Sequence, residues 1–145
     1  MTMQIQPYLF YNGTCEEAIA FYREALGATE LFKMRFKEGP PDPQRPLPPE
    51  LADKIMHATI QVGDAQLMMS DGGCMTHHDT FTGFSVSLTA PDAATAQRYF
   101  DALSSGAQIG MPFQKTFWSP GFGMLTDKFG VPWMVTAPPL ENPSP

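Results

Sequence analysis

Cysteine is scarce in this chain of 145 residues, which contains only Cys15 and Cys74 and has no CxxC pair. Two isolated cysteines do not indicate a disulfide framework, so the reducing cytoplasm is the expected location. The sequence also lacks an apolar run of about 18 residues, the length that spans a bilayer. Its N-terminus lacks a basic stretch followed by a long apolar one. We therefore expect neither a membrane partner nor a secretory signal.

Positive charge is scarce as well, because 9 Lys and Arg stand against 15 Asp and Glu and give a net charge of −6. Nucleic acids and anionic membranes are bound by concentrated basic surfaces, so neither is expected as the main partner. A hydrophobic share of 43% with 17% charged residues is typical of a globular chain, and the length suits a single domain over 1–145. The negative net charge does not argue against a small-molecule ligand, because such a ligand contacts only the charges near its binding site.

Hydrophobic periodicity predicts the same order of elements twice. In the first half, a helix follows the first strand, with Thr14 and Glu17 as a capping box and Gly27 at its end. The first-half elements are a strand at 5–11, a helix at 15–26 and strands at 29–37, 54–62 and 65–70. The second-half elements are a strand at 83–89, a helix capped by Asp92 and ended by Gly106, and strands at 107–117, 122–127 and 131–136. The predicted fold is therefore α+β, with two tandem βαβββ modules at about 4–72 and 82–137.

Proline is abundant in one segment, with six residues between Pro40 and Pro49. Proline fixes φ and removes an amide donor, so residues 39–50 are predicted to form a loop. This loop could cover a pocket as a lid, or it could be a tolerated insertion.

Four segments make the chain resemble the PhnB-like family of the vicinal oxygen chelate superfamily, which includes glyoxalase I, extradiol dioxygenases and bleomycin-resistance proteins. They are PYLFYNGTCEEAIAFYREALGA, HATIQVGDAQLMMSD, GFSVSLTA and KTFWSPGFGMLTDKFGVPWMV. The resemblance implies that each module curls into a half-barrel sheet, that the two modules form a central cleft and that the protein is a homodimer.

Metal-dependent members of that superfamily place one ligand on the first and one on the last strand of each module. Carried over, these positions are Pro7, Met68, Ser85 (or Phe84) and Met134. Divalent metals are usually held by His, Glu and Asp, and none of these residue types stands there. We therefore expect no metal and no cofactor.

Strand alternation predicts which side chains face the cleft. In the first strand, Tyr8 and Phe10 are expected under the helix and Leu9 and Tyr11 on the cleft side. Phe84 is expected on the helix side of its strand. The side chains assigned to ligand binding are Arg35, His57, Thr59, Met68, Ser85, Ser87 and Met134. Arg35 and His57 could equally be ordinary residues of the sheet surface.

Other chemistry-bearing residues are interpreted as structural. His77, His78 and Asp79 fall between the modules and are interpreted as a linker rather than a metal site. Trp133 is expected to pack under a helix, whereas Trp118 could line the rim of the cleft or a subunit contact. No GxSxG elbow is present, so no catalytic residue can be assigned.

The leading interpretation is a PhnB-like protein that binds a small organic molecule, which could be an anion, without a catalytic metal. One alternative is a metal-dependent lyase, isomerase or dioxygenase that uses His57. The other is a resistance protein that sequesters a drug. The sequence does not decide whether the protein is an enzyme.

Overall fold

The computed structural model describes residues 3–72 and 81–139, and these fall into two units that divide at residues 79 and 80. Cys74, His77, His78 and Asp79 lie outside the described residues, so their interpretation as part of a linker stays a prediction. No helix of the described residues is long and apolar enough to cross a membrane.

The first module contains one helix and a four-stranded mixed sheet. Its elements are β1 (Tyr8–Phe10), α1 (Cys15–Leu26), β2 (Thr29–Arg35), β3 (Ile55–Val62) and β4 (Ala65–Ser70). The strand order is β1-β4-β3-β2, with β1 parallel to β4 and the other pairs antiparallel. Two short 3-10 helices, Phe36–Glu38 and Pro49–Leu51, lie between β2 and β3.

The second module repeats this arrangement. Its elements are β5 (Val86–Thr89), α2 (Ala93–Leu103), β6 (Gln108–Gln114), β7 (Phe122–Thr126) and β8 (Pro132–Thr136). The strand order is β5-β8-β7-β6, again with one parallel pair, β5 and β8. The predicted α+β fold with tandem βαβββ modules is confirmed.

Helix α1 packs on one face of the first sheet through small and aromatic side chains. Ala18, Ile19, Tyr22 and Leu26 recur at helical spacing and are buried. The Tyr22 hydroxyl lies 3.0 Å from that of Tyr11, so the two buried phenols satisfy one another. The helix ends at Gly27, whose φ of 68° lies in the left-handed region, as predicted.

The predicted capping box at the start of α1 is wrong, because Thr14 makes no side-chain capping hydrogen bond. The cap comes instead from Asp71, which lies just after β4 and is only 1% exposed. Its Oδ1 accepts the amides of Gly13 (2.8 Å) and Cys15 (3.0 Å), and its Oδ2 accepts the amide of Ile55 (2.9 Å). One carboxylate therefore joins the start of α1, the start of β3 and the end of β4.

The second helix has the local cap that the sequence predicts. Asp92 Oδ1 accepts the amide of Thr95 at 2.7 Å. Elsewhere in this module, the buried Ser119 hydroxyl accepts the Gly121 amide (3.2 Å), and its one proton can be donated to the carbonyl oxygen of Gly121 (2.8 Å) or of Ala137 (3.1 Å).

The proline-rich segment is irregular over residues 39–48, as predicted for a loop. Its base is held closed by backbone hydrogen bonds from Phe36 to Lys54 (3.0 Å) and from Lys37 to Ala52 (3.1 Å). The Lys37 ammonium also donates to the Asp53 carboxylate at 2.6 Å.

Removing the Asp71 carboxylate should destabilise the protein strongly. Asp71→Ala leaves three amide donors without their acceptor, and each unsatisfied buried group costs about 1–3 kcal/mol. We expect the free energy of unfolding, measured by urea denaturation, to fall by about 3–5 kcal/mol. Asp71→Asn should lower the free energy of unfolding by less. Its side-chain oxygen can still accept backbone amides, although its NH₂ group then faces a backbone N–H that is also a donor.

The matched control is Asp64→Ala, because Asp64 is an exposed aspartate in the turn between β3 and β4. This change should alter the free energy of unfolding by less than about 0.5 kcal/mol. Similar losses from Asp71→Ala and Asp64→Ala would contradict the central role of Asp71.

Candidate functional site

A hydrogen-bonded row of three side chains lies on the face of the first sheet opposite α1. The Tyr8 hydroxyl is 2.7 Å from His57 Nδ1, and the Thr59 hydroxyl is 3.2 Å from His57 Nε2. Tyr8 is on β1, whereas His57 and Thr59 are two residues apart on β3 and so point to the same face. Both imidazole nitrogens are therefore engaged, which fixes the orientation of the ring.

Aromatic rings surround this row. The Phe10 ring stacks on Tyr8 with centroids 4.6 Å apart, and the Phe32 ring lies 5.9 Å from His57. Tyr8, Phe10 and Phe32 are 39–46% exposed, so each presents part of its surface to solvent. Met68 is the strand partner of both Tyr8 and Thr59. The face combines apolar walls with a few polar groups, as small-molecule sites do.

The protonation of this row follows from its surroundings. Partial burial raises the pKa of Tyr8 above its ordinary value, so its phenol keeps its proton at neutral pH. When Tyr8 donates to Nδ1, Nε2 carries the proton and donates to Thr59. When Nδ1 carries the proton, the two hydrogen bonds run in the opposite direction. The row can therefore offer either a donor or an acceptor to a bound molecule.

The predicted orientation of β1 is wrong. Leu9 and Tyr11 are buried on the helix side, while Tyr8 and Phe10 lie on the face with His57. Odd-numbered and even-numbered residues of β1 are both apolar, so the sequence pattern alone does not show which of them face the helix. The parallel register of Tyr8 opposite Met68 decides the matter. Sequence reasoning therefore missed Tyr8, Phe10 and Phe32 as members of the site.

The predicted proximity of Arg35 to His57 is also wrong. Arg35 Nη1 donates to Glu16 Oε1 (3.2 Å) and to the Asp53 carbonyl (2.7 Å), and Nη2 donates to Glu16 Oε2 (2.5 Å). Lys33 also pairs with Glu16, at 3.5 Å. Since Glu16 belongs to α1, both cations lie on the helix side of the sheet, away from His57. The acidic first turn of α1 was the sequence signal that could have indicated this.

A pocket of about 660 Å³ lies beside Arg35 on the helix side. Its charged lining consists of Glu16, Glu17, Asp53 and Asp71 with Arg35 and Lys54. Four carboxylates against two cations do not favour an anion. The pairing of Arg35 with His57 to hold an anion is therefore not supported.

Three of the candidate residues, Ser85, Ser87 and Met134, belong to the second module. Ser87 and Met134 are partners in the parallel β5–β8 pair, beside buried Trp133 and Val135, which face the other way. Ser85 is exposed and precedes β5. Phe84 is 43% exposed and contacts Phe81, and it precedes β5. Its expected place on the helix side stays a prediction.

Trp133 and Trp118 differ in their surroundings. Trp133 is buried, as expected, and its indole donates to Asp127 Oδ2 at 2.9 Å. Trp118 contacts Phe117 and Phe122 edge to face, with centroids 4.9 and 5.4 Å apart. Whether Trp118 lines a ligand site or a subunit contact stays a prediction.

The residues expected at metal positions, Pro7, Met68, Ser85 and Met134, do not fit a divalent metal. In the parallel strand pairs, Tyr8 stands opposite Met68 and Ser87 opposite Met134. Neither pair supplies the His, Asp or Glu side chains of usual divalent sites. Among residues 3–72 and 81–139, no cluster of three or more His, Cys, Asp or Glu could hold a metal ion.

Comparison with known proteins gives consistent relatives over nearly the whole chain. The family model described as Glyoxalase/Bleomycin resistance protein/Dioxygenase superfamily matches residues 4–135. Protein YjdN of Escherichia coli K12 is 38% identical over 139 residues, covering 92% of this chain and 94% of that protein.

Two solved structures are also similar. Protein PA1353 from Pseudomonas aeruginosa has a TM-score of 0.84 at 41% identity, over 94% of this chain and 98% of that one. The PhnB protein of Bacillus cereus has a TM-score of 0.75 at 28% identity, over 93% of this chain and 99% of that one.

The Arg35–Glu16 pair should contribute to stability in a pH-dependent way. Arg35 lowers the pKa of Glu16 below its ordinary value, so this stabilisation is present above the unfolded pKa and is lost as pH falls through the folded pKa. Because Glu16 is half exposed, Glu16→Gln should cost only about 0.5–1 kcal/mol at pH 7. Urea unfolding from pH 7 to pH 3 should show this cost shrinking as the acid limb is reached.

Glu17→Gln is the control, because no ion pair of Glu17 is found among the described residues. It should show no comparable pH-dependent loss. A cost for Glu16→Gln that stays constant down to pH 3 would contradict the assignment.

The purified protein should retain no stoichiometric Zn, Ni, Fe or Mn, because the paired strand positions carry Tyr, Ser and Met. Elemental analysis after exhaustive dialysis checks this expectation. A content of about one metal per chain that disappears in His57→Ala would contradict it and would support metal-dependent chemistry at His57.

Proposed function

This chain belongs to the Glyoxalase/Bleomycin resistance protein/Dioxygenase superfamily, and we propose that it binds a small organic molecule without a catalytic metal. The proposed binding face is the side of the first sheet that carries Tyr8, His57 and Thr59. The chain resembles the PhnB protein and YjdN in sequence. This similarity shows that the proteins are related but identifies no ligand.

The observation that carries the proposal is the hydrogen-bonded row among half-exposed rings. His57 contacts both hydroxyls through its two nitrogens, so a ligand meets Tyr8 and Thr59 hydroxyls that are already oriented rather than free rotors. Phe10 and Phe32 supply apolar surface on either side, which favours a planar or ring-containing molecule.

The charge on this face favours an uncharged ligand over an anion. Lys33 and Arg35, the two cations of β2, both pair with Glu16 on the helix side. The polar groups on the proposed face, Tyr8, His57 and Thr59, form hydrogen bonds among themselves. We therefore propose that contacts with the rings and Met68 provide most of the affinity. The directional hydrogen bond comes from the Tyr8 or Thr59 hydroxyl, because both nitrogens of His57 are already engaged.

A second candidate, the sequestration of a drug, is favoured by the same three rings. A resistance protein would hold a bulky planar molecule by stacking and would leave it chemically unchanged. Recovery of an intact bound molecule would support sequestration, whereas turnover would support an enzyme. The homodimer and the cytoplasmic location remain predictions.

The proposed function is tested by ligand-observed NMR screening with matched pairs of small aromatic molecules, each an amide or alcohol and its carboxylate. We expect the neutral member of a pair to bind at least as well as the acid. His57→Ala should weaken binding of a neutral hit about tenfold or more, about 1.4 kcal/mol, because the Tyr8 and Thr59 hydroxyls lose the group that orients them for a hydrogen bond to the ligand. Phe32→Ala should weaken it through lost ring contact.

Arg35→Gln is the matched control, since Arg35 lies on the opposite face of the same sheet. It should change the affinity less than twofold. A consistent preference for carboxylates that Arg35→Gln abolishes would refute the proposal, as would hits that are insensitive to His57→Ala and Phe32→Ala.

A further inference from the structure

The proline-rich loop of residues 39–50 has no role in the proposed function, and its base is rigidly closed. Phe36 and Lys37 donate backbone hydrogen bonds to Lys54 and Ala52, and the Lys37 ammonium pairs with Asp53. Because the two ends are held together, much of the conformational entropy of the loop is lost before any partner binds.

The loop displays its middle to solvent. Residues 40–47 are all exposed. A turn stands in the first half, where Asp42 accepts the amides of Gln44 (2.9 Å, Oδ1) and Arg45 (3.1 Å, carbonyl). Residues 46–48, after this turn, belong to no helix or strand. Pro49 then begins a short 3-10 helix, whose last residue, Leu51, is buried and anchors the segment.

The prolines of this part favour the geometry of a polyproline II helix. Pro48 has φ −57° and ψ 133°, close to the values of that helix. Arg45, Leu47 and Pro48 each precede a proline, which excludes the α region for them by steric clash. A polyproline II helix repeats every three residues, so Pro46 and Pro49 lie along the same edge.

We propose that the segment Arg45–Pro49 is a docking site for a protein domain with an aromatic-lined groove that accepts a polyproline II helix. Such grooves exploit a ligand that is already extended and loses little entropy on binding. Pro46 and Pro49 would occupy neighbouring positions along the groove, and the exposed part of Leu47 lies between them.

The positive charge of Arg45 indicates which side chain the partner should have at one end of its groove. Arg45 is the only basic residue between Lys37 and Lys54. No ion pair of Arg45 is found among the described residues, and its neighbours are prolines and Gln44. A groove with an acidic side chain next to its aromatic residues is therefore the complementary partner.

The structure also distinguishes this segment from a second proline pair in the same loop. Pro40 and Pro43 have the same spacing, but Pro43 lies inside the turn that runs from Asp42 to Arg45. A turn interrupts the polyproline II helix, so the first pair should not dock. The sequence alone contains both pairs and does not choose between them.

The test uses the full chain and, as probe, a purified SH3 domain that accepts an arginine followed by a proline helix. Titration of the ¹⁵N-labelled SH3 domain with the chain should shift the resonances of its groove saturably. Arg45→Ala and Pro46→Ala should each weaken binding about tenfold or more. Pro40→Ala, the matched control in the same loop, should change the affinity less than twofold.

The variants alter exposed side chains, so their thermal unfolding midpoints should equal that of the parent, and this is measured alongside binding. Absence of saturable shifts with the parent chain at about 1 mM would overturn the proposal. It would also be overturned by parent-like affinity in Arg45→Ala and Pro46→Ala, or by an equal loss in Pro40→Ala. None of these outcomes affects the small-molecule proposal, which rests on the sheet face that carries Tyr8, His57 and Thr59 and not on the exposed side chains of the loop.

Discussion

The buried carboxylate of Asp71 sets the geometry of the first module. By accepting amides from Gly13, Cys15 and Ile55, it fixes where α1 begins relative to the start of β3. That position places Glu16 within reach of the cations of β2, and Lys33 and Arg35 turn toward the helix to pair with it. Because alternate residues of a strand point to opposite faces, Phe32 is then directed to the other side, beside His57.

The second module has an equivalent backbone connection, but a different side chain supports it. The Asp71 amide bonds the Ile55 carbonyl at 2.7 Å, and in the repeat the Ala137 amide bonds the Gly121 carbonyl at 2.8 Å. Where the first module uses a carboxylate on the Ile55 amide, the second uses the neutral Ser119 hydroxyl on the Gly121 amide. A hydroxyl is less costly to bury than an ion, and α2 needs no remote cap because Asp92 supplies a local one.

The two sheets consequently differ in the surface opposite their helices. In the first, aromatic rings surround an imidazole held at both nitrogens, whereas Ser87 and Met134 form the corresponding pair in the second. Superfamily membership therefore accounts for the fold of both modules, while the chemistry depends on side chains that differ between them.

The sequence by itself determined the repeat, its element order, the Asp92 cap, Gly27 and the proline loop, because these depend on periodicity and on conformational preferences within a few residues. It also placed His57 and Thr59 correctly on one face, since β3 alternates clearly between apolar and polar residues. Only the tertiary structure decided the orientation of β1, whose residues are apolar on both faces. It alone also decided the positions of Arg35 and Asp71. Their partners lie about 19 and 56 residues away in the chain, and such long-range hydrogen bonds leave no local pattern.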